Sequence, residues 1–242
     1  MELVRGTVFD LDDTLYFESA YVRSGFHFVA NTIGTPSVTA ADIFQLLIQN
    51  FESGVRGDSF NRLLLRFSSL SAQWTPTDLV QLYRAHTPEI VLIEGVRELL
   101  AELKENGNRL GLITDGPANS QSKKILALGL RDYFDSIHLT DEWGLEFRKP
   151  NPRAFETIMT DWGLRPSELV YTGDNPRKDF VAPRALGWRT ARLRVKEQQH
   201  FGLEAESLEF SADREFTSIG DLVHWLRKKC GAKPERMEIG TK

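Results

Sequence analysis

Val4-Arg5-Gly6-Thr7-Val8-Phe9-Asp10-Leu11-Asp12-Asp13-Thr14-Leu15 is a stretch in which apolar and β-branched residues run directly into acidic ones. Val4, Val8, Phe9 and Leu11 suit a central strand. Carboxylates delivered to the end of such a strand must be paired or bound to a cation, because an ionised group is not buried alone. In an extended chain residues two apart share a side, so Asp10 and Asp12 face one spot and Asp13 faces away. Two carboxylates at one spot repel each other, and the remedies are a shared proton or a cation. Asp13 reads as a turn residue with no chemical task.

Outward from this strand the pattern is first helical. Over residues 16–91 apolar side chains recur at three and four: Tyr21, Gly25, Phe28, Val29 and Ile33, then Ile43, Phe44, Leu47, Ile48 and Phe51. Further helices are expected at 59–68 and 77–85, with Asp42 and Asp78 near helix starts. From Glu94 the pattern alternates. Helices are predicted at 95–106, 118–128, 151–162 and 177–186, and strands at 109–114, 136–139, 168–172 and 188–193. Residues 194–212 look irregular, 215–217 a short strand, 218–229 an amphipathic helix and 231–242 a flexible tail. The β-α alternation predicts an α/β fold with a parallel sheet covered by helices on both faces. The strand at 4–9 joins that sheet, giving a core of residues 1–15 and 92–230 with an all-helical unit, 16–91, inserted into it.

Composition narrows the function. The chain has 242 residues, 41% of them hydrophobic, enough to bury a substantial core. A net charge of −4 argues against nucleic acid or an acidic membrane as partner. One cysteine, Cys230, excludes an internal disulfide and a structural zinc site. No window reaches the roughly 18 apolar residues of a membrane span, and a cytoplasmic setting is expected. Oligomeric state is not legible.

In parallel α/β sheets ligands bind outside the carboxyl ends of the strands. Four polar sets fall at such ends: Asp10/Asp12, Thr114/Asp115/Gly116, Lys149-Pro150, and Gly173-Asp174 with Asp179. Each alone reads equally well as a turn or helix cap, but four in order at one sheet edge fit that reading poorly. Together, Asp10-x-Asp12-x-Thr14, Thr114, Lys149 and Gly173-Asp174-x-x-x-x-Asp179 resemble the four motifs of the haloacid dehalogenase-like hydrolase superfamily. The resemblance spans residues 4–193. It implies a Rossmann-like core and a mobile cap at 16–91.

A phosphate monoester is a dianion, so a carboxylate attacks it only where a cation and hydrogen-bond donors offset the repulsion. The resemblance implies Asp10 as nucleophile, giving an aspartyl-phosphate, and Asp12 as the group that protonates the leaving oxygen and then activates water. It implies Mg²⁺ held by Asp174 and Asp179, by the Asp10 side chain and by the Asp12 backbone carbonyl. Thr114 and the amides near Asp115 and Gly116 would cradle phosphate, with Lys149 supplying positive charge. A proton on Asp12 would bring the site with its metal to neutrality. Asp12 also separates branches of the family, since those that attack carbon lack it. The expected activity is therefore Mg²⁺-dependent hydrolysis of a small phosphorylated metabolite such as a sugar phosphate or nucleoside monophosphate. The alternatives are a phosphosugar mutase and a non-catalytic binding protein on the same fold. Tyr16, Phe17, Glu18 and Arg56 are candidate specificity residues.

Overall fold

The computed structural model describes residues 3–231. Its centre is a six-stranded sheet in the order β3-β2-β1-β4-β5-β6, parallel throughout. The strands are β1 Gly6–Phe9, β2 Arg109–Thr114, β3 Ser136–Leu139, β4 Leu169–Gly173, β5 Arg189–Leu193 and β6 Arg214–Phe216. All four residues of β1 are buried. Their alternation decides which layer each side chain joins. Phe9, with Leu110, Leu112 and Val170, packs under the helices α5 (Val96–Glu105), α6 (Ala118–Ala127) and α9 (Ile219–Cys230). Val8, with Ile113, Leu169 and Tyr171, packs against α7 (Arg153–Trp162) and α8 (Val181–Ala185). The expected three-layer α/β core follows, and β1, flanked by β2 and β4, opens its carboxyl end at the point where strand order reverses.

Between β1 and α5 the chain builds a separate helical unit. Its helices are α1 Glu18–Ile33, α2 Ala40–Glu52, α3 Ser59–Arg66 and α4 Pro76–Ala85. They enclose a core of their own around Phe26, Val29, Ile43, Leu47, Leu63 and Leu79. Thr39 with Asp42 and Thr75 with Asp78 form reciprocal capping boxes at the starts of α2 and α4. The helical pattern does not run unbroken to residue 91. A 3₁₀ turn occupies Ser68–Ala72, and α4 ends at Ala85, where His86 takes an extended conformation. The two connections to the core lie side by side, with the Ile93 amide donating to the Leu15 carbonyl at 2.9 Å.

The helix expected over 177–186 is shorter than its sequence pattern suggested. Residues 175–180 form turns instead, because the Asn175 amide donates to Asp179 Oδ2 at 2.8 Å and the Asn175 carbonyl accepts from the Asp179 amide at 3.0 Å. This ring of bonds holds the Asp179 side chain against the end of β4. The expected strand at 215–217 is β6, one residue earlier. The expected tail, apart from Gly231, lies outside the described residues.

Close packing on the α7 face depends on the absence of a side chain at Gly6. A methyl group there would lie 2.6 Å from Leu169 Cδ2 and 2.7 Å from Trp162 Cζ3. Gly6→Ala should lower stability by about 1–3 kcal/mol, read as a lower denaturant midpoint at unchanged slope. A wild-type midpoint would show that Trp162 moves aside at no cost.

Candidate active site

The four polar sets meet at the carboxyl edge of β1, β2 and β4. Lys149, fully buried, is the hub. Its ammonium lies 2.5 Å from Asp10 Oδ1 and 2.8 Å from Asp179 Oδ1, and it donates to the Tyr171 hydroxyl at 2.9 Å. Two strands, β1 and β4, and the segment before α7 thus converge on one positive charge. The charge is retained, because the attraction of Asp10 and Asp179 outweighs burial and holds the Lys149 ammonium above its usual range.

Asp10, Asp174 and Asp179 each place an oxygen within 4.8 Å of the others. Burial pushes the Asp10 carboxyl up, and Asp179 adds to the rise against the pull of Lys149, leaving it at about 6. Burial, with the charges of Asp179 and Asp10, pushes Asp174 well above the carboxylate range. Asp174 Oδ2 is buried without a hydrogen-bond partner among the described residues. By contrast both oxygens of Asp179 are engaged, by Lys149 and by the Asn175 amide. Gly173 permits this approach, since a methyl group there would lie 2.6 Å from Asp179 Oδ2.

An all-oxygen set around an unpartnered buried carboxylate suits a hard divalent cation. Asp10 and Asp174 are the residues whose oxygens face that need, with Asp179 set behind them on Lys149. The fit is to a hard rather than a soft metal, as neither sulfur nor imidazole joins the cluster among the described residues.

Asp12 is held on the other side of the cavity. Lys124 Nζ lies 2.6 Å from its Oδ1, Gln121 Nε2 donates to its Oδ2 at 2.8 Å, and the Tyr16 hydroxyl donates to Oδ1. Burial pushes the Asp12 carboxyl up, but the charge of Lys124 and these hydrogen bonds reverse it, and the net shift is downward. The proton expected on Asp12 for charge balance is therefore not required. Lys124 provides that charge instead. Gln121 Nε2 also donates to Thr114 Oγ1 at 2.5 Å, which leaves the hydroxyl proton of Thr114 to point elsewhere.

Asp115 accepts from the Thr140 hydroxyl at 2.8 Å, from the Lys149 amide at 3.1 Å and from Lys178 Nζ at 3.2 Å. The Gly116 amide, expected to face phosphate, donates to Asp141 Oδ1 at 3.2 Å. Asp141 in turn holds Arg148 through two 2.6 Å contacts. Asp13 takes up the left-handed backbone of a tight turn, φ 54°. Its carboxylate caps the start of α1 through the Glu18 amide at 2.8 Å.

Lys124, Gln121 and Lys178 were not singled out from the sequence. Gln121 and Lys124 are three apart on α6, a polar pair on a helix face that continues with buried Ile125 and Leu128. That interruption was their signal. Lys178 lies inside the Asp174-to-Asp179 interval, where a lone lysine in a turn carries no distinguishing signal.

Two cavities adjoin. The first, about 210 Å³, is lined by Asp10, Asp12, Asp174, Lys178, Arg148 and His200. The second, about 260 Å³, lies between the helical unit and Gln199 of the core and is lined by Val22, Phe26, Phe51, Phe60 and Tyr83, with Arg56 and Arg84. Glu18 is in the wall of both. Phe17 lines neither. Arg56 borders only the second; its guanidinium stacks 4.2 Å from the Phe51 ring centroid.

Known proteins resemble this chain in sequence and fold. The chain is 25% identical to a glyceraldehyde 3-phosphate phosphatase of Pyrococcus furiosus over 241 residues, covering 97% of this chain and 98% of that protein. It is 33% identical to a phosphoserine phosphatase of Thermus thermophilus over 123 residues, 51% of this chain and 45% of the relative. The fold matches a solved hydrolase from Deinococcus radiodurans, crystallised with phosphate and sodium, at a TM-score of 0.66 and 20% identity, covering 97% of this chain and all of that one (100%). It also matches the L-2-haloacid dehalogenase of Xanthobacter autotrophicus, at 0.60 and 18% identity, covering 93% of this chain and 99% of the other. The family model for haloacid dehalogenase-like hydrolases matches residues 7–193, from β1 through β5 and across every polar set at the sheet edge. With that span and that geometry, the chain belongs to the haloacid dehalogenase-like hydrolases.

Proposed function

We propose that this protein is a Mg²⁺-dependent phosphatase that hydrolyses a small phosphomonoester through an aspartyl-phosphate on Asp10. The observation that carries the reading is Asp10 held at 2.5 Å by buried Lys149, beside Asp174, whose Oδ2 has no partner. The names of the relatives, phosphatases of glyceraldehyde 3-phosphate and phosphoserine, support a phosphorylated small metabolite, in line with a sugar phosphate or a nucleoside monophosphate.

In this reading an Asp10 oxygen attacks phosphorus while Lys149 and the Thr114 hydroxyl hold the non-bridging oxygens. Bound at Asp10 and Asp174, Mg²⁺ would neutralise charge on the phosphoryl group. Asp12 gives a proton to the leaving oxygen and then takes one from the water that cleaves the acyl-phosphate bond, releasing phosphate and restoring Asp10. The pairing with Lys124 keeps Asp12 ionised at rest, the form needed for the second step. For the first step it takes up a proton as the substrate binds. The helical unit is assigned the role of cap: it covers the acidic cavity, and its own apolar chamber accepts the leaving alcohol past Glu18.

Asp10→Asn should reduce phosphate release by at least about a thousandfold while the fold persists. Wild-type turnover by this variant would remove Asp10 from the reaction. The metal site has a readout independent of activity. A carboxyl group whose folded pKa is raised, as for Asp174, stabilises the protein below its unfolded value of 3.8 and loses that contribution as pH rises. In metal-free protein the Asp174 contribution should therefore be lost as pH climbs from about 4 toward 7, and Mg²⁺ should restore it. Metal-free Asp174→Asn should melt higher than wild type at neutral pH and gain nothing from Mg²⁺. Identical wild-type melting curves in Mg²⁺ and EDTA would count decisively against the site.

A further inference from the structure

The segment after β5 looked uninformative as sequence, yet it reaches both the turn after β1 and the helical unit. Its backbone is tied down by the core and the turn after β1, independently of the helical unit. Arg192 Nη2 donates to the His200 and Leu203 carbonyls at 3.2 and 2.8 Å, and Arg194 Nε donates to the Phe201 carbonyl at 2.8 Å. Gln198, 5% exposed, donates through Nε2 to the Asp13 and Leu193 carbonyls at 2.6 and 3.1 Å and accepts from the Val195 amide at 2.7 Å. The Gln199 amide then donates to Asp13 Oδ2 at 2.8 Å.

This leaves the Gln199 side chain on a fixed platform with its carboxamide free to span a gap. Its Nε2 donates to Glu18 Oε2 at 2.5 Å, and its Oε1 accepts from Arg56 Nε at 3.1 Å. Glu18 opens α1, whereas Arg56 lies in the turn between α2 and α3. Arg56 decides which way the amide faces, because a guanidinium only donates and must meet the amide oxygen. Arg56 is already pre-set for the contact by its Nη1 bonds to the Phe51 and Val55 carbonyls at 2.7 and 3.1 Å and by the Phe51 ring.

We infer that Gln199 is a positioning residue that latches the helical cap onto the core, holding Glu18 and Arg56 in place where the acidic cavity meets the apolar chamber. The bonds are partly open to water, so each is weak and the latch releases readily. Such a contact suits a lid that must open for each turnover. The latch sets how well the leaving alcohol is held. It does not touch phosphorus.

The kinetic arm of the test rests on the phosphatase reading. Its probes are 2-phenylethyl phosphate, whose alcohol reaches the chamber, and acetyl phosphate, which stops short of it. Gln199→Ala keeps the backbone bond to Asp13 and removes only the span. It should raise KM for 2-phenylethyl phosphate about fivefold, with kcat within about twofold and acetyl phosphate turnover unchanged. Gln199→Asn, one methylene shorter, should not rescue it. Arg56→Ala should match Gln199→Ala, and the double variant should be no worse than either. Multiplying effects, or an unchanged KM, would overturn the latch.

A second arm needs no turnover. Dyes placed at Ser37→Cys in the cap and Glu105→Cys in the core, in a Cys230→Ser background, should report a larger open population once Gln199→Ala is added. Equal distance distributions would overturn the proposal. If the wild type releases phosphate from neither compound, the phosphatase reading fails while this distance measurement still decides the latch.

Discussion

A cluster of buried carboxylates with too little charge to neutralise it is the constraint around which this molecule is arranged. Asp10, Asp174 and Asp179 share one small volume, and like charges at such separations in a low-dielectric site cannot all ionise without help. Lys149 supplies the first part of that help. It is buried between Asp10 and Asp179, where a cation is retained only because two anions hold it. The remaining deficit falls on Asp174, and a divalent cation is the group of matching chemistry. The fold serves this arrangement by bringing β1, β4 and the segment before α7 to the same edge.

Charges on the opposite wall are handled separately. Asp12 is neutralised by Lys124 from α6, with Tyr16 and Gln121 completing its shell. The two aspartates that follow β1 are thus kept apart electrostatically, each held by a different lysine. That separation fits a division of labour between a nucleophile and a proton carrier. Gln121, bonded to both Asp12 and Thr114, links the two walls of the cavity.

Asp13 illustrates how a residue without a chemical role still shapes the site. Its φ of 54° turns the chain out of the sheet. Its carboxylate joins the start of α1 to the segment after β5 through the Glu18 and Gln199 amides. The turn reading made from sequence is compatible with this position, but the long-range bond to residue 199 had no local signature. The same holds for Gln198 and Gln199, two polar residues in a stretch without periodicity.

By itself the sequence determined the layered α/β core, the helical insertion and the acidic residues at the strand ends, because periodicity, turn residues and motif spacing are local properties of the chain. It also carried the family resemblance that the match over residues 7–193 bears out. Only the tertiary structure decided which cations answer which carboxylates. Lys124 and Lys178 look like ordinary helix and turn charges until packing removes water from them, and neither burial nor a partner more than fifty positions away is written in local sequence. Packing also gave Asp12 a lysine in place of a proton, left Asp174 Oδ2 without a partner, and brought residue 199 against residues 13, 18 and 56. Desolvation and long-range contact are properties of the folded chain, and they set the electrostatics of the site.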